Sequence, residues 1–592
     1  MTPTAQSGPA HLYRAPLEGE QSALTGQDEQ EQPRKLVGVV PSHAAEERRT
    51  FFDALEQAFP VRFQGREQND LHGLDGVLAF GVQPTAQDPE RRSAGVSDSA
   101  ALPVAPPCPC LIVCAQSAGP ARAVLTVELT EDRSLMGALR GRRLSEECAP
   151  SSSLPGPKDH LPGPSEGDRV LALADGRPVW WRRAGNSRWL QYSSYCPEDL
   201  GEGEALRDQL RAGHFMGLAP LLHLLHRVCS ELAWERQPLR AAFVIDDPNL
   251  HHSSYGYLSY RELIAHADRH GYHLALATVP LDGWMFSRRA GALVGGHPRA
   301  LSLLMHGNDH LSGELGRLLD DRTAQSALAQ ALRRTSALER RCGVAIERVM
   351  VPPHELCSTM ALAAMFRLGF EGACIGRRHP WQDPRSLSTL LPARLLKWHP
   401  TDLIDGGLPV IPRHPIEQSR EDLVFRALLR QPLILFAHHG DFADGLDSLA
   451  QAASEINGLG EVRWGSVGSI ARDCFFSRRV GQTLHVQLHS RKAVLEIPPE
   501  VSALRVSVPS LIASEPQRWL LCGSAPVALR RGVGSWTSKT LPVASGERVE
   551  LALVAGDPLD PASVPAPPRR PWPLARRLLV ESRDRVRPLI AR

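Results

Sequence analysis

Four apolar segments in the middle of the chain each end abruptly in groups able to do chemistry, and no other feature of the sequence constrains the fold as much. Ala241–Ile245 (AAFVI) runs into Asp246-Asp247, and Leu301–Met305 (LSLLM) runs into His306, followed by Asn308, Asp309 and His310. Val349–Val351 runs into Pro352-Pro353-His354-Glu355, and Leu433–Ala437 (LILFA) runs into His438-His439-Gly440-Asp441. Helical stretches with readable ends lie between them. Ser259 and Glu262 match a capping box ahead of Leu263–His270, with Gly271 as the stop. Thr323–Cys342 is closed by Gly343, Ser358–Leu368 ends at Gly369, and Ser419 opens Arg420–Leu429 with Asp422 three positions on. Alternation of strand and helix predicts a parallel sheet or barrel, and such folds place their active site at the carboxyl ends of the strands. All four polar clusters fall there.

At 592 residues the chain exceeds what one hydrophobic core serves, so about three domains are expected. Residues 1–35, rich in Gln, Glu, Pro and Gly, read as a disordered tail. An α/β layer is expected over 36–237. Leu36–Val40 is its first strand, a helix follows with Phe51, Phe52, Leu55 and Phe59 on one face, and Val61–Phe63 and Gly76–Phe80 are the next strands. Pro150–Pro164 reads as a linker, and Asp175-Gly176 as the turn of a hairpin between Val170–Ala174 and Pro178–Arg182. An apolar helix over Leu218–Leu232 carries His223 and His226, read as padding for a packed face. Residues 238–480 hold the strand–helix alternation. Over 481–556 short alternating segments predict an antiparallel β domain, a sandwich. Residues 557–592 form a Pro-rich and then Arg-rich tail, either solvated or a basic amphipathic segment for an anionic membrane or a partner.

Several function classes are not supported. A net charge of +2 leaves no electrostatic footprint for nucleic acid. The first turn, VVPSHAAEE, lacks a glycine-rich phosphate loop. No stretch nears the roughly 20 apolar residues of a membrane span, and the amino terminus lacks the pattern of a secretory signal, so a cytoplasmic location is expected. The 11 cysteines are scattered, and Cys108, Cys110 and Cys114 read as part of a buried strand, with no zinc-site partners nearby.

His306 and His310 are four apart, a spacing that puts two imidazoles on one face of a helix. Two imidazoles and one carboxylate make a three-ligand site with a position left open, the arrangement of catalytic zinc. The pair Asp246-Asp247 would let one carboxylate hold a metal while its neighbour handles protons. Alone, the histidine spacing is ordinary surface chemistry; the strands on either side give it meaning.

FVIDDP, LMHGNDH, VPPHE and LILFAHHGD, in that order, resemble the polysaccharide deacetylases of carbohydrate esterase family 4, which carry the chitooligosaccharide deacetylase homology domain. The resemblance spans about two-fifths of the chain. It implies a distorted (β/α) barrel, preceded here by an α/β layer and followed by a β-sandwich-like domain. It implies one divalent metal ion, zinc by its donor set, on Asp247, His306 and His310. Asp246 would be the base and His438 the acid, with His439 as rival. Pro353, His354, Arg413 and His439 would meet substrate. The third motif departs from the family: Val351 stands where an Arg usually orients the base, and His354-Glu355 replaces an aromatic residue and Gly. Arg377, Arg378 and Arg413 are the candidates for the cation, although Arg413-His414 also reads as a strand end open to solvent.

The expected function is therefore metal-dependent N-deacetylation of a carbohydrate or glycan precursor, nucleotide- or lipid-linked if the protein is cytoplasmic. The alternatives are a catalytically impaired barrel that binds sugar as a recognition or assembly module, and a hydrolase cutting another bond with the same ligands.

Overall fold

The computed structural model describes residues 34–590 apart from 81–82, 85–100, 103–107, 114–123, 148–163, 185–188, 202–203, 205, 233, 236, 312, 319, 377–398, 405–406, 418–419, 510–517 and 533–534. The expected tail at 1–33, the linker at 150–163, Cys114, Arg377, Arg378 and Ser419 lie outside the described residues.

The centre of the chain is a closed barrel of seven parallel strands. They are β1 (Leu239–Asp246), β2 (Leu274–Thr278), β3 (Leu301–His306), β4 (Val349–Val351), β5 (Gly372–Gly376), β6 (Leu408–Pro415) and β7 (Leu433–His438). Each pairs with the next in sequence, and β1 pairs with both β7 and β2, which shuts the ring. Parallel neighbours need a crossover between them, and helices supply most of these connections.

Successive side chains alternate between the two faces of a strand. Ala242, Val244, Ala275, Ala277, Leu304, Val349, Val351, Cys374, Ile411 and Ile434 form one separate apolar cluster, the barrel's interior. Small residues on β1 and β2 let the ring close, and Val467, Ile470 and Ala471 of the helix Val467–Arg472 join the same cluster. All are buried, and truncating one of the larger, such as Leu304→Ala, would cost about 2–5 kcal/mol.

The helices between the strands end as expected. Ser259 accepts from the Glu262 amide, and Ser358 from the Ala361 amide. Gly271, Gly343 and Gly369 adopt the left-handed conformation that closes a helix. The long helix starts at Asp321 with Asp320 as its cap, two residues earlier than expected. The helix Glu421–Leu428 has no side-chain cap, since Arg420 stands at its N-cap and has no acceptor, and Asp422 accepts from the Ala212 amide.

Ahead of the barrel a mixed sheet contains Lys35–Val40, Val61–Gly65, Gly76–Phe80 and Cys110–Val113 in parallel, as the strand–helix–strand pattern predicts. The expected single helix breaks at Arg48 into His43–Glu47 and Arg49–Ala58, with Phe51, Phe52 and Leu55 buried. Asp175 and Gly176 both have positive φ and turn the hairpin. His223 is buried, its ring nitrogens 2.8 Å from Gln191 Oε1 and 2.8 Å from the Ser134 carbonyl, a packed histidine as expected; His226 is exposed.

After the barrel, alternating strands form two sheets whose inward residues, such as Leu484, Val486, Leu551 and Leu553, are buried. The antiparallel expectation needs one correction. Thr483–Leu488 and Ala503–Pro509 pair in parallel, because Lys492–Glu496 between them crosses to the other sheet.

The carboxyl-terminal segment also departs from the solvated tail the sequence suggested. Pro571–Ile590 is a helix, and Arg577, Glu581 and Asp584 on it are buried.

Candidate active site

Extending each interior row of the barrel by one step of two residues brings chemistry to its mouth. Val244 leads to Asp246, Leu304 to His306, Ile411 to Arg413 and Phe436 to His438. Asp246 and His438 are register partners on β1 and β7, so they stand side by side.

The structure brings Asp247, His306 and His310 together, but not by the helix expected of their spacing. His306 ends β3, and Gly307 and His310 then take positive φ of 66° and 54°, which folds the second imidazole back over the first. Only glycine fits at 307, where a Cβ would meet Glu314 Oε1 at 2.0 Å and Pro353 Cγ at 2.6 Å. The Glu314 carboxylate staples this loop by accepting from the amides of Asn308 (2.6 Å) and Asp309 (3.0 Å).

Asp247 Oδ1 lies 3.0 Å from His310 Nε2 and 3.9 Å from His306 Nε2. Two ligands each about 2 Å from a shared tetrahedral ion stand about 3.3 Å apart, so these separations suit one. His306 Nδ1 is 2.9 Å from the Val351 carbonyl, which can only accept, so the ring proton sits on Nδ1 and the Nε2 lone pair is free for a ligand. Among the described residues this is the one group of His, Cys, Asp or Glu side chains close enough to hold a metal ion, with donor atoms all within 4.8 Å. The donor set fits a divalent ion. Burial opposes charge on Asp247, yet His310, His306 and Arg577 hold its carboxyl well below the usual carboxylate range.

Arg413, read from sequence either as the missing cation or as a strand end open to solvent, is 1% exposed. Its Nη1 and Nη2 donate to the two oxygens of Asp246 at 2.8 Å each, and Nη2 also donates to Glu355 Oε1. Glu355 in turn accepts from the Gly376 amide. A buried guanidinium is tolerable only when paired, and here two carboxylates pair it. Burial would raise the Asp246 pKa; Arg413, and after it His306, bring it below the ordinary value. Both terminal nitrogens of Arg413 are thus engaged by carboxylates, and the residue is buried.

His438 is exposed at the mouth, its amide donating to Asp441 at 2.7 Å. His439 is buried, its Nε2 3.5 Å from Asp584 and its ring against Tyr255 and Tyr257. Pro353 is buried against Gly307, and exposed His354 brings its ring to 5.8 Å from that of His310.

Sequence reasoning missed the carboxyl-terminal helix here. Arg577 donates to the Asp247 carbonyl at 2.7 Å, lies 3.5 Å from its carboxylate, and pairs with Asp282 at 2.7–3.0 Å. Arg576 donates to the His310 carbonyl at 2.6 Å. Further along, Glu581 lies 2.8 Å from His251 and Asp584 accepts from the Tyr255 hydroxyl at 3.0 Å. The only sequence signal was a row of charges at helical spacing, Arg577, Glu581 and Asp584, which normally marks a solvated face.

No protein-family model and no curated protein matches this chain. Among solved structures it is similar to a protein from Mycobacterium smegmatis described as a candidate polysaccharide deacetylase, at 16% identity and a TM-score of 0.29, over 41% of this chain and 92% of that one. It is also similar to a family 4 carbohydrate esterase from Streptomyces lividans in complex with acetate (11% identity, TM-score 0.25, 40% of this chain and 94% of the other). A polysaccharide deacetylase from Bacillus cereus is similar at 10% identity and a TM-score of 0.21, over 39% and 92% of the two chains. These are likenesses over about two-fifths of the chain, and the barrel itself is established by this chain's own strand order.

Proposed function

We propose that this chain is a metal-dependent hydrolase that removes an N-acetyl group from a carbohydrate or glycan precursor. The observation that carries the reading is the forked ion pair between Arg413 and Asp246 beside the Asp247–His306–His310 cluster. The altered third motif had put the orientation of the base in doubt, and a cation from β6 meets the same need. This weighs against the impaired, sugar-binding alternative.

Asp247, His306 and His310 would hold the ion, zinc by preference for two imidazoles and a carboxylate. When bound, such an ion supplies Lewis acidity at the site. Asp246 keeps a second lone pair on each oxygen beyond those used by Arg413, so it can accept a proton from an attacking water. Arg413 fixes the plane of that carboxylate. His438, exposed at the mouth and level with Asp246, would hand a proton to the departing amine. His354, at the rim, would meet the sugar. A carrier-linked sugar, on a nucleotide or a lipid, is the substrate class we favour.

The test combines metal analysis with acetate release, using the full chain purified without chelator and N-acetylated chitooligosaccharides as substrates. Stoichiometric metal with acetate release that chelation abolishes is the expected result. Sugar binding without acetate release would make the barrel a recognition module, and release of another product would place it among other hydrolases.

A further inference from the structure

The carboxyl-terminal helix is inside out. Its buried face carries Arg577, Glu581 and Asp584, all engaged with the barrel, while Trp572, Leu574, Leu578, Leu579, Val586 and Ile590 look outward. Of ten large apolar side chains exposed among the described residues, six lie on this one helix, including Trp572 (61%), Leu579 (66%) and Ile590 (79%). Trp284, 48% exposed, extends the patch, since its ring lies 5.1 Å from that of His251, the partner of Glu581. A helix of 20 residues is about 30 Å long, so the stripe is much larger than the scattered exposed apolar groups of an ordinary surface.

Charge decides what covers it. Both acids of the helix are turned into the barrel, whereas Arg569, Arg570, Arg583 and Arg587 are exposed around the apolar stripe. An apolar face with a tryptophan near one end, whose own segment from Arg569 to Ile590 exposes arginines and no acid, although Arg583 also pairs with Asp584, matches the interface of an anionic bilayer, where apolar side chains enter the acyl boundary and arginines meet lipid phosphates. No helix among the described residues is long and apolar enough to cross a membrane, so the contact would be peripheral.

We propose that this helix docks the protein on an anionic lipid surface, its outward face in the lipid while Arg576 and Arg577 hold the loops of His310 and Asp247. The docking stands whether or not the barrel turns over a sugar.

The test is flotation of the full chain with vesicles of phosphatidylcholine alone and of phosphatidylcholine with about one-third phosphatidylglycerol. The protein is expected to float with the anionic vesicles, to do so less as salt rises, and to bind neutral vesicles at least tenfold more weakly. Leu578→Glu with Leu579→Glu changes only outward positions and is expected to weaken anionic binding at least tenfold, with the melting temperature unchanged. Arg570→Glu with Arg587→Glu should remove the preference for anionic lipid. Failure to bind either vesicle overturns the proposal, as does binding that both double variants leave intact. A wild-type dimer in solution that Leu578→Glu with Leu579→Glu splits into monomers also overturns it, since the face is then a protein interface.

Discussion

The guanidinium of Arg413 holds both carboxylate oxygens of Asp246 at 2.8 Å across 167 residues of sequence, with Glu355 on its other side. Removing that fork strands the buried Asp246 carboxylate and the half-buried carboxylate of Glu355. Arg413→Ala should therefore destabilise the fold by about 3–5 kcal/mol, seen as a large fall in melting temperature. Arg413→Lys retains the charge but not the two-pronged geometry, so it should keep much of the stability and still lower turnover. Equal turnover in Arg413→Lys and the wild type would show that Asp246 needs charge nearby and not orientation.

The two adjacent carboxylates should separate by role. Asp247→Ala, or His306→Ala with His310→Ala, should abolish metal uptake measured by elemental analysis while circular dichroism stays native. Asp246→Asn should keep stoichiometric metal and lower the deacetylation rate by about 10²–10⁴-fold, the usual worth of one proton-transfer group. Stoichiometric metal in the double histidine variant would put the site elsewhere.

His438 and His439 are neighbours with different surroundings. The first is exposed beside Asp246, whereas the second is buried between Tyr255, Tyr257 and Asp584. His438→Ala should remove the alkaline limb of the pH–rate profile with little change in melting temperature, because a leaving amine needs a protonated acid. His439→Ala should lower the melting temperature and leave the shape of the profile alone. The reverse result exchanges the two roles.

The barrel was legible because its signals are local. Apolar runs, Ser259 and Ser358 as caps, and Gly271, Gly343 and Gly369 as stops all act within a few residues. The grouping of Asp247, His306 and His310 was legible, but not the backbone that brings them together. Spacing suggested a helix, but the left-handed backbone at Gly307 and His310 does the work, and φ is not written in a periodicity. The cation for Asp246 was narrowed to three arginines and no further, since nothing local in β6 says that residue 413 faces Asp246. Arg577 stands 330 residues from Asp247, and the charged face it belongs to looks like any solvated helix until the barrel is placed against it.

The last prediction concerns that charged face. His251 Nδ1 lies 2.8 Å from Glu581, and burial opposes the imidazolium, but the hydrogen bond to Glu581 raises its pKa above the ordinary value. Glu581 is held down to about 2, against burial, by His251 and Arg585. A raised histidine stabilises the folded state below its unfolded pKa of about 6.5 and loses that contribution as pH rises through the folded value. A depressed carboxylate stabilises above its unfolded pKa of about 4.3 and loses the contribution as pH falls towards 2. Docking of the carboxyl-terminal helix should therefore be tightest between about pH 4.5 and 6.5 and should loosen on the alkaline side. Amide hydrogen exchange over residues 571–590, corrected for the intrinsic effect of pH, should be several-fold faster at pH 9 than at pH 6. Glu581→Gln should remove most of that difference, because a neutral amide gives the imidazolium no charge to answer. Exchange that is the same at both pH values in the wild type would mean that Arg577, fixed on Asp282, anchors the helix without help from the His251 pair.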